Sequence, residues 1–295
     1  MRRRILLLAC VAFIVSPFAN ADSQISPHAP KAFARRNVGG AAAKANLKPH
    51  LIKSDPIDLE YARGMVSPPL AHSRGGACDS DAVLFSKIAV GVVLEAAALF
   101  GVVLGGKALS SLPELAKFPQ IDGLHVVQWA SLVIVIFASS LIGSFIDGGL
   151  SAASNQVLDP NATPGDPNWY RGLKRPSWEP PGWVFPIMWL IVSKPTQLWA
   201  VSRLFKVVDI DAAFLFRALL VYCTHLSLGD SWNKVFFGFQ CPGKGAIVIS
   251  TFWALLATSA FLFWSIDEKA GHLMLPTCAW VSIATALNWS IYINN

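Results

Sequence analysis

The sequence predicts an all-α integral membrane protein, a bundle of five to six membrane-crossing helices. Three observations carry this. The 295 residues are 54% hydrophobic and only 14% charged, against about 25% charged in soluble domains, and the mean hydropathy is +0.48. Apolar runs recur at about 20 residues, the length that crosses a hydrocarbon core of about 30 Å. No alternation of apolar and polar residues accompanies them, and in lipid a helix satisfies every backbone group within itself.

Taken in order, the first element is a leader. "MRRRILLLACVAFIVSPFANA" (1–21) has a basic start, an apolar run from Ile5 to Val15 and an Ala19-Asn20-Ala21 cleavage pattern, which is a signal peptide and too short for a span. Residues 22–53 are basic, alanine-rich and nearly free of acids, the composition of a transit peptide. A signal followed by a transit segment resembles the bipartite leaders of algae whose plastids lie inside extra membranes, and Phe18-Ala19 sits near the junction. The expected destination is a plastid membrane. A plain secretory leader and the endomembrane system are the alternative.

The leader also explains the charge. Of 24 basic and 18 acidic residues, nine and one fall within 1–53, which leaves 15 and 17 for the rest. The net +6 is therefore no sign of an anionic partner, and nucleic-acid binding is excluded. Cys10, Cys78, Cys223, Cys241 and Cys278 show no CxxC spacing, so neither a metal site nor a disulfide framework is expected.

Residues 54–82 carry Pro, Gly and charge without period and read as a linker. Next, 83–107 holds an apolar helix. Its run "IAVGVVLEAAALFGVVLGG" (88–106) contains one charge, Glu95, and Gly101 and Gly105 at the spacing of a packing face. A polar link over 107–122 precedes an uncharged span, Val126–Ile146, and a long loop over 147–180. Further spans start at the Pro180-Pro181 turn and run to about Val201, then cover 212–238, 246–264 and 270–292.

All eleven tryptophans lie between Trp129 and Trp289. A belt at the membrane surface accounts for Trp169, Trp178, Trp183 and Trp264. It does not account for Trp189 and Trp280, which fall well inside their spans. On the last helix Trp280, Ala284 and Asn288 recur every four residues, with Leu287 near the same face. A ring, a small gap and an amide on one stripe point to a lined cavity; core packing is the competing reading of the same stripe.

The stretch "NWYRGLKRPSWEPPGWVFPIMW" (168–189) resembles the signature loop of the TspO/MBR family, the translocator proteins or peripheral benzodiazepine receptors. "LGDSWNKVFFG" (228–238), "LFWSID" (262–267) and "LMLPTCAWVSIATALNWSIYIN" (273–294) agree with that family's remaining landmarks, in order and spacing. The resemblance covers about 125–295 and implies a TspO-like five-helix transmembrane bundle, here preceded by one additional helix. It also implies a pocket between helices that takes porphyrin or haem, with no covalently bound cofactor and no metal site. Carried over residue by residue, that pocket is lined by Tyr170, Pro180, Pro181, Phe185, Trp189, Trp232, Phe236, Trp280, Ala284 and Leu287, beside Asn288. The tryptophan pair tied to light-driven porphyrin breakdown in bacterial members maps onto Trp189 and Trp280. Membrane lipid and a second copy of the chain, as a homodimer, are the other expected partners.

Several positions depart from the family. Ser193 replaces a tyrosine and is followed by Lys194-Pro195; Gly229, beside Asp230, replaces an asparagine; Thr277 follows Pro276 where a tyrosine is usual. Ser290 and Ile293 stand where the sterol segment of animal members needs tyrosine and arginine, which argues against cholesterol. Lys194, His225 and Asp230 are ionisable groups at membrane depth and candidates for function, with interhelical ion pairing as the alternative. Three functions follow: tetrapyrrole sequestration or stress sensing, light-dependent porphyrin degradation through Trp189 and Trp280, or transport of tetrapyrrole or lipid. No nucleotide loop and no acid–base or nucleophile set is visible.

Overall fold

The computed structural model describes residues 82–146 and 168–295. The leader, nearly all of the linker and the loop 147–167 lie outside the described residues. Helix α1 (Ala82–Ser110) is longer than its apolar run. Val92, Glu95, Ala96, Leu99, Phe100 and Val103 are buried along it, a stripe with spacings of three and four. Val90, Val93 and Leu94 stay exposed on the other face, as lipid-facing residues must. The Gly101/Gly105 pair is not the packing face, since a Cβ at either would meet nothing within 4 Å. Gly106 is the glycine that packing requires, because a Cβ there would lie 2.1 Å from Ser131 Oγ.

The polar link contains a short hairpin. Gln120–Ile121 (β1) pairs antiparallel with Leu124–His125 (β2), around Asp122 at φ 49° and Gly123 at φ 76°. Asp-Gly suits a two-residue turn that needs positive φ twice.

The span expected at 126–146 is built as two helices, α2 (Val126–Phe137) and α3 (Ser139–Ile146). The break has a physical cause. Lys194 Nζ donates to the Ile136 carbonyl at 2.5 Å, and both Leu141 and Ile142 turn their N–H groups to Ala138 O at 3.1 Å. A side chain inserted into the helical ladder kinks it. Among the described residues five helices are long and apolar enough to cross a membrane, and α1 is one of them, whereas α2 is shorter.

After the one-turn helix α4 (Trp169–Gly172) come α5 (Val184–Leu204), α6 (Ala212–Gly238), α7 (Pro242–Ile266) and α8 (Glu268–Asn294). Within α5 the chain widens to a π turn over Ile187–Ser193. Pro195 lacks an N–H and its ring crowds the carbonyl four residues back; the wider register relieves this, and Lys194 N–H meets Trp189 O instead. Asp211 caps α6, accepting from Ala213 N at 3.1 Å.

α7 and α8 run side by side. A Cβ on Gly271 would come within 2.7 Å of the Trp264 backbone, so only glycine permits that turn. Trp253 and Trp289 donate across the pair to Ser282 and Ser250 at 2.9 and 3.0 Å, fastening helices where lipid supplies no hydrophobic drive. Deeper in, Tyr222 OH donates to Gln197 Oε1 at 3.0 Å and Gln197 Nε2 to Thr277 Oγ1 at 3.3 Å. The departure at Thr277 therefore closes a buried chain across α6, α5 and α8. Cys223 and Cys278 are buried, but Cys241 is disulfide-bonded. The expectation that cysteine pairing plays no part is corrected there, at a residue in the α6–α7 turn rather than inside a span.

Between α7 and α8, Asp267 accepts from Ala270 N at 2.9 Å as a helix cap and from Arg203 at 3.0 and 2.7 Å. The Arg203 hydrogen bonds hold its carboxyl below the ordinary aspartate value. Asp267→Ala should lower stability by about 1–2 kcal/mol at neutral pH, read as a shift in thermal unfolding. Because the folded value is depressed, the contribution is complete above the unfolded aspartate pKa of about 3.9 and is lost as pH falls through the folded value. A variant whose deficit persists unchanged through that acidic range would contradict the assignment.

Candidate functional site

A cavity opens between α3, α5, α6 and α7. Its empty space, open mouth included, is about 770 Å³. Its aromatic wall is Phe185, Trp189, Trp232, Phe237 and Phe252, and its polar floor holds Ser139, Lys194, Gln197, His225 and Asp230.

Local sequence sets the wall. Pro181 O accepts from Val184 N at 2.9 Å and starts α5, and the π turn ahead of Pro195 then carries Trp189. The Trp189 ring meets Trp280 edge-on at 6.2 Å and 81°, and Phe185 meets Trp280 at 5.2 Å and 79°. Such perpendicular pairs suit the ring quadrupoles. Trp232 stacks on Phe236 at 5.8 Å and donates from Nε1 to Asn288 Oδ1 at 2.8 Å. Gly229 leaves room for Phe252, whose ring a Cβ would approach at 3.2 Å, and Phe252 in turn stacks on His225.

The residues expected to form the pocket divide into two groups. Phe185, Trp189 and Trp232 line the cavity. Trp280 is 2% exposed and stands directly behind the first two. Tyr170 and Phe236 are buried one layer away, with ring centroids 6.2 Å apart, and Ala284 and Leu287 are buried on α8. Asn288 is buried but occupied, because its Nδ2 donates to Pro242 O at 2.9 Å while its oxygen takes Trp232. Pro180 and Pro181 shape the loop ahead of α5 and do not line the cavity.

That loop is fixed from within. Tyr170 OH donates to Glu179 Oε1 at 2.7 Å, and Arg175 pairs with the same carboxyl at 2.8 Å while covering the Tyr170 ring. Burial, then the bond to Glu179, pushes the Tyr170 hydroxyl well above its usual range, so it serves as a donor. Lys174 N and O both meet the Asn295 amide, at 2.9 and 3.1 Å, which ties the loop to the end of α8.

The polar floor is where sequence reasoning fell short. Lys194, His225 and Asp230 stood out singly as ionisable groups at membrane depth; their convergence did not, nor did the partner from α1. Glu95 is 1% exposed and its carboxyl shares a hydrogen bond with Asp230. Gly143 makes room for it, since a Cβ there would lie 2.6 Å from Glu95 Oε2. The usable signal was Glu95 itself, the single charge in its span. Asp230 Oδ2, His225 Nδ1, Glu95 Oε1 and Trp280 Nε1 are cut off from solvent without a hydrogen-bond partner, and such orphans in a native site call for an explanation. Among the described residues no three His, Cys, Asp or Glu groups cluster as metal ligands. An aromatic wall over a polar floor suits a flat, largely apolar molecule with a polar end.

Comparison with known proteins agrees with this architecture. The chain is 28% identical over 148 residues to Protein CrtK of Rhodobacter capsulatus, covering 50% of this chain and 88% of that protein. It is 30% identical over 143 residues to the Tryptophan-rich sensory protein of Cereibacter sphaeroides, covering 48% and 82%. To the Translocator protein of Homo sapiens it is 25% identical over 130 residues, covering 43% and 75%. The TspO/MBR family model matches residues 132–293, more than half of the chain. The chain is a multi-pass membrane protein and belongs to the TspO/MBR family.

Proposed function

We propose that the protein binds a tetrapyrrole, porphyrin or haem, in this cavity, for sequestration or stress sensing. The observation that carries the reading is the wall of Phe185, Trp189 and Trp232 above a floor with unpartnered polar atoms. A flat macrocycle buries large apolar area against such rings at low entropic cost. Haem ligation by His225 lacks a second ligand in the floor, so a metal-free porphyrin is the simplest occupant to test.

A second reading has its own support. Trp189 and Trp280 face each other at 6.2 Å, close enough for one indole to hand an electron to the other beside an excited macrocycle. That geometry favours light-dependent porphyrin degradation. Transport of tetrapyrrole or lipid remains the third reading.

Titration of the purified protein in detergent with protoporphyrin IX, in the dark and then under illumination, separates them. Sequestration predicts saturable tryptophan quenching that is stable in light, with Trp189→Phe weakening binding three- to tenfold, about the worth of one aromatic contact. Loss of the porphyrin spectrum under light, abolished by Trp189→Phe or Trp280→Phe, would establish degradation instead. Binding indifferent to both substitutions would remove the cavity from the account.

We further infer that residues 1–53 direct the protein to a plastid membrane, on their basic, acid-poor composition behind an apolar signal. A fluorescent protein fused after residue 53 should enter plastids in an algal cell with complex plastids. Retention of the fusion in the endomembrane system would leave only the secretory signal.

A further inference from the structure

The cavity floor differs from its wall in origin as well as chemistry. Lys194 and Asp230 face the cavity and attract one another, while Glu95, which holds Asp230, comes from α1. That helix lies outside the residues that the family model matches. A hydrogen bond between two carboxyl groups needs one proton, because an ionised carboxyl only accepts. The Glu95–Asp230 pair then carries one negative charge, which the Lys194 ammonium balances. Lys194 spends one N–H on Ile136 O and keeps others to give. Asp230 Oδ2 and, beside it in the floor, His225 Nδ1 have no partner; His225 is only 1% exposed. Lys234 also acts on the pair, and Ser139 bonds Asp230 from α3.

We propose that this floor is a recognition site for the carboxyl group of the bound molecule, and that α1 is part of the site through Glu95. The carboxyl enters with its proton: its C=O accepts from Lys194 and its O–H donates to Asp230 Oδ2, so the charge balance of the floor is unchanged. An ester of the same molecule keeps the acceptor and loses the donor. Glu95 is a positioning residue, since it touches Asp230 and not the cavity. The proposal rests on the tetrapyrrole reading above and adds to it the end of the molecule that points inward.

The test compares protoporphyrin IX with its dimethyl ester on the full chain in detergent, by tryptophan quenching. The free acid should bind about ten- to a hundredfold more tightly than the ester, the worth of one hydrogen bond to a charged group. Lys194→Met should weaken acid and ester alike, because both accept from Lys194, whereas Asp230→Leu, which removes the acceptor that only the acid uses, should bring the acid to the level of the ester. Glu95→Ala should lower the acid-to-ester ratio at least fivefold, and Glu95→Gln, which still donates to Asp230, should restore it. Acid and ester binding alike to the unsubstituted protein would overturn the proposal and leave tetrapyrrole binding standing. A ratio untouched by Glu95→Ala would remove α1 from the site. Binding of neither compound would overturn the tetrapyrrole reading and this proposal with it. Should the substituted chains fail to fold, the acid-to-ester ratio of the unsubstituted protein decides alone.

Discussion

The cavity is organised around one hydrogen bond, from Lys194 Nζ to the Ile136 carbonyl at 2.5 Å. In hydrocarbon every backbone group must find a partner inside the protein, and this contact meets that demand in an unusual way. It fills a position that an amide of α3 would hold in an unbroken helix, so α2 ends at Phe137 and α3 restarts at Ser139. The break brings Ser139 and Ser140 to the cavity lining. On the other side of the same bond, Pro195 forces the π turn that carries Trp189. Two departures from the family pattern, a lysine and the proline after it, thus set both the polar floor and the position of one aromatic wall residue.

A lysine at that depth has consequences for its neighbours. Leaving a buried ion without its partner costs roughly 3–5 kcal/mol, whereas an aromatic pair such as Trp189–Trp280 adds roughly 0.5–1.5 kcal/mol beyond its burial. The floor therefore outweighs the wall in fixing this region, although the wall holds most of the surface that a flat ligand would cover. Asp230 supplies the countercharge. Glu95 then shares a proton with Asp230, and Gly143 is the residue whose missing side chain lets that carboxyl approach. The additional helix is consequently bound into the core through a polar contact as well as through Leu99, Phe100 and Val103.

Much of this was legible in the sequence. Apolar runs of the right length located α1 and α5 to α8, because a span is recognised by its length and hydropathy. The break at Ala138 was not legible, since nothing within 126–146 interrupts the apolar run; its cause lies at Lys194, on another helix. The hairpin around Asp122-Gly123 was not read from the sequence, because its strands pair over only two residues each and leave no alternation to see. Gly101 and Gly105 have the right spacing on the wrong face, which only the partner helix reveals. At the site, the stripe of Trp280, Ala284 and Asn288 is inward as expected. An inward side chain can abut a neighbour as readily as a cavity, however, and Asn288 spends both ends of its amide on Trp232 and Pro242. Periodicity reports burial and does not say what lies opposite. The charged residues were conspicuous one at a time, and folding made them a group.

The central claim is that the space between Trp189 and Lys194 holds the ligand. The most direct measurement is an experimental structure of the protein in lipid nanodiscs with protoporphyrin IX bound. The account predicts the macrocycle against Phe185, Trp189 and Trp232, with a carboxyl group within hydrogen-bond distance of Lys194 Nζ and Asp230 Oδ2. A macrocycle on the lipid-facing surface, or one in the cavity with its carboxyl groups turned out toward Arg171 and Lys174, would contradict it.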